Sequence, residues 1–381
     1  MKTLDLLDRL IAFPTVSRDP NRALIDFVRQ FLADRGITCE LYEAEEGRKA
    51  NLFATVGPAD RPGIMLSGHT DVVPVDGQAW TKDPFKMTVS EGRAYGRGTT
   101  DMKGFLASVL ALADRAAVQT LTTPIHFAFS HDEEVGCVGV RSMIADLAAR
   151  PLHPRFAIIG EPSSMRIATG HKGKIGARAT CCGVEGHSAL APKALNAIHL
   201  ACDFIEALRY RQTLIAQEGP RDDDYDVPYT TLHVGRIDGG TALNIVPNRC
   251  TVDFEIRNVA EDDASAILDR LMDDAARIAG KRRSAFPEAD IRVDVFTTYP
   301  GLATPPDSDV VRFVQSLIPC QDLSKVAFGT EGGLFSERLG VPVVVCGPGS
   351  MDQGHKPDEF VAIEQLDVCD QMMDRLLQSC L

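Results

Sequence analysis

The sequence lacks the features of a membrane-spanning, secreted or disulfide-stapled protein. No apolar run approaches the roughly 20 residues that a transmembrane helix requires, and the N-terminal segment has no signal-peptide apolar core. The ten cysteines are scattered along the chain and form no Cys-x-x-Cys pair, so thiolate zinc sites and thioredoxin chemistry have no support. We therefore expect a cytoplasmic protein with reduced thiols and no membrane partner.

Positive charge is also scarce in this sequence. The chain has 40 Lys and Arg residues against 53 Asp and Glu residues, which gives a formal net charge of −13. Nucleic acids are bound mainly through clustered Lys and Arg that neutralise phosphates, so we expect no nucleic-acid partner. The composition, 44% hydrophobic and 24% charged, is that of a globular protein, and 381 residues are too many for one ordinary core.

The order of predicted strands and helices indicates two domains. Apolar strands alternate with amphipathic helices at the start of the chain and again near its end. Residues 173–299 between them follow the order β-α-β-β-α-β of the ferredoxin-like motif. We therefore predict an α/β domain with a mixed sheet, formed by residues 1–172 and 300–381, and an inserted α+β domain at 173–299.

Several predicted strands are followed directly by histidine or carboxylate side chains. The strand-end candidates, in chain order, are His69 and Asp71, Glu133 and Glu134, Glu161, and His355. Sites gather at the carboxyl ends of strands in α/β sheets, so we expect these side chains to lie together. Asp101, after a glycine-rich loop and before a predicted helix, is a further candidate. Taken singly, Asp101 is more simply a helix cap and the acidic run a solvated loop.

This set of donors predicts a centre for two metal ions. Imidazole nitrogens and carboxylate oxygens without thiolate suit zinc, cobalt or manganese. Two histidines and three carboxylates give each ion three ligands only if one carboxylate bridges, and Asp101 is the natural bridge. Two such ions can deprotonate a shared water and polarise a carbonyl, which is hydrolase chemistry. Hydrolysis also needs a base that is not a ligand, and Glu133, beside the presumed ligand Glu134, fits that role.

Together these motifs resemble the M20 family of dinuclear zinc aminoacylases and peptidases. The matching stretches run nearly from end to end of the chain: Gly68–Asp71, Gly98–Gly104, Asp132–Glu134, Gly160–Pro162, Gly186–Ser188 and His355. The resemblance implies two ligand sets that share one residue, with zinc as the metal and cobalt as a substitute. These sets are His69, Asp101 and Glu161 for one ion, and Asp101, Glu134 and His355 for the other. It also implies that Glu133 is the base and that Asp71 lies behind His69.

The resemblance further implies that the inserted domain serves as a lid and as the contact between two subunits of a homodimer. In the family, the histidine of a Gly-His-Ser motif donates to the oxyanion, often across the dimer, and here it is His187. Arg257 corresponds to the arginine that binds the substrate carboxylate, and Asn244 to a substrate-binding asparagine. Without the resemblance, Arg257 would be an exposed strand-end charge and His187 an ordinary turn histidine.

The expected substrate is a small N-acylated amino acid whose amide is hydrolysed. Glu331, on a glycine-rich loop outside the ligand sets, is a candidate for binding a cationic substrate side chain, with a helix-start glutamate as the plainer alternative. Two other functions stay open at this point. One is a desuccinylase or a related N-acyl-amino-acid deacylase, and the other is a non-catalytic metal-binding protein on the same fold. The presence of Glu133, a base outside the ligand sets, argues against the latter.

Overall fold

The computed structural model describes residues 2–381, which divide into two compact units. The first unit comprises the chain up to His171 together with Leu302–Leu381, and the second comprises Lys172–Gly301. The helices, in chain order, are α1 Thr3–Ile11, α2 Arg22–Ala33, α3 Gly104–Ala116, α4 Val140–Ala149, α5 Ala197–Glu218, α6 Ala264–Arg283, α7 Asp309–Leu317, α8 Gly332–Leu339 and α9 Ile363–Cys380. Within residues 2–381, no helix is both long and apolar enough to cross a membrane.

The strands are short to medium in length and fall into four sheets. In chain order they are β1 Cys39–Ala44, β2 Lys49–Val56, β3 Ile64–His69, β4 Thr88–Ser90, β5 Arg93–Tyr95, β6 Ile125–Ser130, β7 Phe156–Pro162, β8 Ile167–His171, β9 Gly173–Cys182, β10 Gly186–His187, β11 Thr231–Gly239, β12 Ile245–Val246, β13 Arg249–Asn258, β14 Asp290–Tyr299, β15 Leu302–Ala303, β16 Leu323–Val326, β17 Val343–Gly347 and β18 Phe360–Ala362.

The first unit is built on a large mixed sheet with the order β1-β2-β6-β3-β7-β17-β8-β15, and β16 pairs with β8 beside this path. The four neighbours β6, β3, β7 and β17 run parallel, whereas β1, β2 and β6 pair antiparallel. The parallel strands β3 and β7 are buried along their whole length, which is why they appear in the sequence as continuous apolar runs. The predicted α/β fold with a mixed sheet is confirmed.

Helix α3 lies at the centre of the main hydrophobic core of this unit. Its residues from Gly104 to Ala113 are all buried, so the helix is apolar on every side rather than amphipathic. It packs against α1 and α9. The same core includes side chains from α2 and α7. Asp101 lies three residues before the N-terminal end of this buried helix, so core packing of the helix holds the segment that follows Asp101 in place.

The second unit has a four-stranded antiparallel sheet with the order β11-β13-β9-β14. Helix α5 connects β9 to β11 and α6 connects β13 to β14, so two β-α-β connections interlock as in the ferredoxin-like motif. Both helices contribute to a separate hydrophobic core with the sheet. The short strands β10 and β12 of this unit pair with each other, and β10 ends at His187, one of the predicted residues.

Candidate metal centre

The parallel strands bring three of the predicted site segments to one edge of the large sheet. His69 is the last residue of β3, Glu161 lies near the end of β7, and Glu133 and Glu134 follow β6. Because β3 pairs in parallel with both β6 and β7, the carboxyl ends of these strands are neighbours. This arrangement is the physical basis of the strand-end pattern in the sequence.

Two glycines allow the start of α3 to approach these strand ends closely. A Cβ atom at Gly68 would lie 2.5 Å from the Met102 side chain, and one at Gly160 would overlap the ring of Phe105. Glycine immediately before His69 and before Glu161 therefore leaves room for the side chains of Met102 and Phe105. The close approach places the segment that carries Asp101 directly against the two strand ends.

Asp101 faces both predicted histidine ligands through different oxygens. Its Oδ1 lies 3.1 Å from His69 Nε2, and its Oδ2 lies 3.1 Å from His355 Nε2. Glu161 Oε1 is 3.6 Å from the same His69 nitrogen, and Glu134 Oε2 is 3.1 Å from the His355 nitrogen. The structure thus brings all five predicted ligands together, with one carboxylate between two imidazoles.

The electrostatics of the cluster fit divalent cations. Burial raises the pKa of Glu134 and of Glu161 to about 7, and raises the pKa of Glu133 well above its usual value. Hydrogen bonds to Asp101 and Glu134 raise the pKa of His355 to about 10. Glu134 Oε1 is buried and has no hydrogen-bond partner among residues 2–381. A cation would neutralise the crowded acids, bind the orphaned carboxylate oxygen and replace the proton of His355, and the oxygen and nitrogen donors suit zinc or cobalt.

Glu133 lies close to two of the predicted ligands, His69 and Glu161. Possible ligand atoms of His69, Glu133 and Glu161 all lie within 4.8 Å of one another, as do those of His69, Asp101 and Glu134. Glu133 Oε1 also accepts a hydrogen bond from the thiol of Cys137 at 3.2 Å. Geometry alone therefore allows Glu133 to be either a ligand or a base, and the two roles require a mutational test.

Asp71 connects His69 to the acidic segment in a way that the sequence did not predict. The nearer partner of His69 Nδ1 is the Asp71 backbone carbonyl at 2.8 Å, whereas the carboxylate Oδ1 lies at 3.6 Å. The carboxylate instead accepts the backbone N–H groups of Glu133 at 3.1 Å and Glu134 at 3.3 Å. Asp71 therefore leaves Nε2 of the imidazole free to bind a metal and also positions both glutamates.

Glu331 lies at the start of α8 but is 1% exposed, unlike an ordinary helix-start glutamate. Its Oε1 accepts a hydrogen bond from the Ser130 hydroxyl, and its Oε2 lies 3.5 Å from Ser67 Oγ. These serines belong to β6 and β3, the strands that lead to the metal ligands. Burial raises the pKa of Glu331 to about 7. Its contacts are hydroxyl groups rather than a lysine or arginine.

Sequence reasoning missed a buried ion pair behind Asp101. Arg97 donates to Glu359 Oε2 at 2.6 Å, and the two side chains are 1% and 0% exposed. Glu359 Oε1 accepts the backbone N–H groups of Thr100 at 2.9 Å and Asp101 at 3.2 Å. Arg97 precedes the Gly98–Gly104 stretch and Glu359 follows His355, but only the contact between positions far apart in sequence gives them a role.

The second unit carries the other predicted residues. Strand pairing sets His187 opposite Ile245, and the Ser188 N–H donates to the Asn244 carbonyl at 3.0 Å, so His187 and Asn244 are neighbours. Both side chains are exposed. Arg257 is partly buried and donates to the Tyr299 hydroxyl at 2.6 Å and to a neighbouring glutamate on its strand at 3.2 Å. It is therefore a positioned guanidinium and not a free strand-end charge.

The first unit is a mixed-sheet α/β unit with nitrogen and oxygen donors at its strand ends, and the same chain continues into a ferredoxin-like unit. These features define the class of the protein as a metal-dependent hydrolase. Residues 65–379 match the sequence model of Peptidase family M20/M25/M40, and the chain belongs to this family. Acetylornithine deacetylase from Pasteurella multocida is 33% identical over 384 residues, which cover 98% of this chain and 97% of the relative. Acetylornithine deacetylase from Proteus mirabilis is 32% identical over 385 residues, which cover 99% of this chain and 96% of the relative.

Solved structures show the same fold at lower sequence identity. The M20 family metallo-carboxypeptidase Sso-CP2 from Sulfolobus solfataricus matches with a TM-score of 0.80 at 19% identity, over 99% of both chains. A dinuclear metal binding peptidase of the M20 family, YXEP from Bacillus subtilis, matches with a TM-score of 0.68 at 15% identity, over 99% of this chain and 97% of that chain.

Proposed function

We propose that this chain hydrolyses the amide of N2-acetyl-L-ornithine to L-ornithine and acetate, a step of arginine biosynthesis. The observation that carries the proposal is the Asp101 carboxylate shared between two imidazoles, with Glu133 close to one of them, His69. The full-length similarity to acetylornithine deacetylases supports this substrate. So do stretches that resemble the same subgroup: His171–Gly173, Val227–Tyr229, Thr330–Glu331 and Gly347–Glu359. A cytoplasmic location, where the ten free cysteines would stay reduced, is part of the same proposal.

The residues that would hold two divalent cations form two groups with one shared carboxylate: His69, Asp101 and Glu161, and Asp101, Glu134 and His355. Zinc is the proposed metal and cobalt its substitute. When bound, these ions supply Lewis acidity to water and to the substrate carbonyl. Glu133 takes a proton from the attacking water at a carboxylate oxygen and returns it to the amine nitrogen as the C–N bond breaks.

We further propose roles for the second unit in substrate recognition. Arg257 offers a planar, permanently charged fork for the substrate carboxylate, held in place by Tyr299. His187 donates a hydrogen bond to the oxyanion of the tetrahedral intermediate, and Asn244, its neighbour, contacts the substrate. Association of two chains through this unit into a homodimer is part of the same proposal.

Replacing His187 by Ala should lower kcat far more than it raises KM, because an oxyanion donor acts mainly in the transition state. Steady-state kinetics with N2-acetyl-L-ornithine measure this difference, and His199→Ala, which removes an exposed histidine of α5, is the matched control. Mixing His187→Ala with inactive Glu133→Gln protein tests whether His187 acts across subunits. If the mixture is more active than the sum of the two variants, His187 acts across the dimer. If its activity equals that sum, His187 acts within its own chain.

Glu331→Gln should raise KM for N2-acetyl-L-ornithine by the equivalent of about 1–3 kcal/mol, because the distal ammonium would lose its charged partner. N-acetylmethionine has an uncharged side chain that needs no charged partner, so kcat and KM for that substrate should hardly change. The comparison separates recognition from structure, since Glu331 also accepts hydrogen bonds from two strand-end serines. Equal losses on both substrates would assign Glu331 a structural role.

A further inference from the structure

The segment that carries His355 adopts a backbone conformation that needs support from outside. His355 and Asp358 have φ values of 61° and 54°, in the left-handed region that non-glycine residues rarely occupy. Such residues persist only where the surrounding structure holds them. The His355 side chain is 44% exposed, so core packing does not supply that support.

Residues 78–82 supply the missing contacts. Gln78 Nε2 donates to the His355 backbone carbonyl at 2.9 Å. The Asp358 carboxylate accepts the Thr81 N–H at 2.9 Å and the Thr81 hydroxyl at 2.7 Å. The two left-handed residues are thus each held by a side-chain hydrogen bond to this one segment.

Arg97 connects the same segment to the bridging carboxylate. Its guanidinium donates to Gln78 Oε1 at 2.5 Å and to Glu359 Oε2 at 2.6 Å. Glu359 in turn accepts the Asp101 N–H at 3.2 Å. A continuous chain of side chains therefore runs from the backbone of Asp101, through Glu359, Arg97 and Gln78, to the backbone of His355.

We propose that this chain, together with the Thr81–Asp358 contacts, positions His355 against Asp101 before any cation binds. The inference rests on the proposed metal centre and assigns Gln78 and Thr81 as positioning residues for one ion only. Gln78 and Thr81 contact the His355 segment, whereas His69 and Glu161 are held by β3 and β7. Loss of the support should therefore weaken the ion held by Asp101, Glu134 and His355, and spare the ion held by His69, Asp101 and Glu161.

The test is a metal titration of chelator-stripped protein, with Zn²⁺ by calorimetry and Co²⁺ by its visible absorption. The Gln78→Met/Thr81→Val variant removes both side-chain contacts at nearly constant volume. It should bind the first ion with the wild-type Kd and the second about 10–100-fold more weakly, the usual cost of losing a residue that orients a ligand. Thr81→Val alone should also raise the Kd of the second ion. This single variant provides the test if the double variant fails to fold.

Tyr42→Phe is the matched control, because it removes a surface hydrogen bond of 2.8 Å to Asp146 elsewhere in the same unit. It should leave both dissociation constants unchanged. Wild-type affinity for both ions in the Gln78 and Thr81 variants would overturn the inference, as would an equal loss at both sites. A wild-type protein that binds fewer than two ions would overturn the proposed metal centre, and this inference with it.

Discussion

Glu133→Gln should lower kcat for N2-acetyl-L-ornithine on the order of a hundredfold or more, the usual range for loss of a general base. The amide keeps the size of the carboxylate and its ability to accept the Cys137 thiol hydrogen, but it cannot take a proton from water. Two metal ions should remain bound, since the proposed ligands are unchanged. Steady-state kinetics and elemental analysis of the purified variant measure both quantities.

The metal content of this variant decides between the two roles that geometry allows for Glu133. Its carboxylate lies within 4.8 Å of possible ligand atoms of His69 and Glu161. Loss of one ion together with activity would make Glu133 a ligand and leave the base unassigned. Glu337→Gln, at an exposed glutamate paired with its neighbour Arg338, is the matched control and should behave as wild type.

Asp101→Asn should weaken the binding of both ions, because the single carboxylate faces His69 through one oxygen and His355 through the other. We expect each Kd to rise by more than the roughly 10–100-fold that follows loss of a residue that merely orients a ligand. Catalysis should be lost along with the ions. Metal titration of the chelator-stripped variant measures the effect on each ion separately.

Two single-sided variants provide the comparison for Asp101→Asn. Glu161→Gln should weaken only the ion near His69, and Glu134→Gln only the ion near His355. If Asp101→Asn instead keeps one ion with wild-type affinity, Asp101 is a ligand of one site and does not bridge.

The positions of the donors could be predicted because they depend on a regular feature of the fold. Parallel strands end at one edge of a sheet, so apolar runs that end in His69, in Glu133 and Glu134, and in Glu161 indicated a common site. The ferredoxin-like unit was predicted in the same way, from the order of long, strongly patterned elements. Strands of two or three residues, such as β4, β5 and β18, have too little periodicity to be recognised in sequence.

The supporting contacts could not be predicted, because they join residues that no sequence pattern relates. Arg97 and Glu359 are 262 positions apart, and only the folded chain brings them together behind Asp101. The same holds for Glu331, whose position at a helix start does not indicate that its side chain is buried. Its burial follows from contacts with Ser67 and Ser130, which belong to strands distant in the sequence.

The most direct test of the account is hydrolysis by the purified wild-type protein, assayed after removal of metal and after reconstitution with Zn²⁺ or Co²⁺. A panel of N-acetyl and N-succinyl amino acids should show the highest kcat/KM for N2-acetyl-L-ornithine, with L-ornithine and acetate formed only after metal is restored. A preference for N-succinyl substrates would favour a desuccinylase. A metal-loaded protein that hydrolyses no N-acyl amino acid would contradict the central claim and favour a metal-binding protein without catalytic activity.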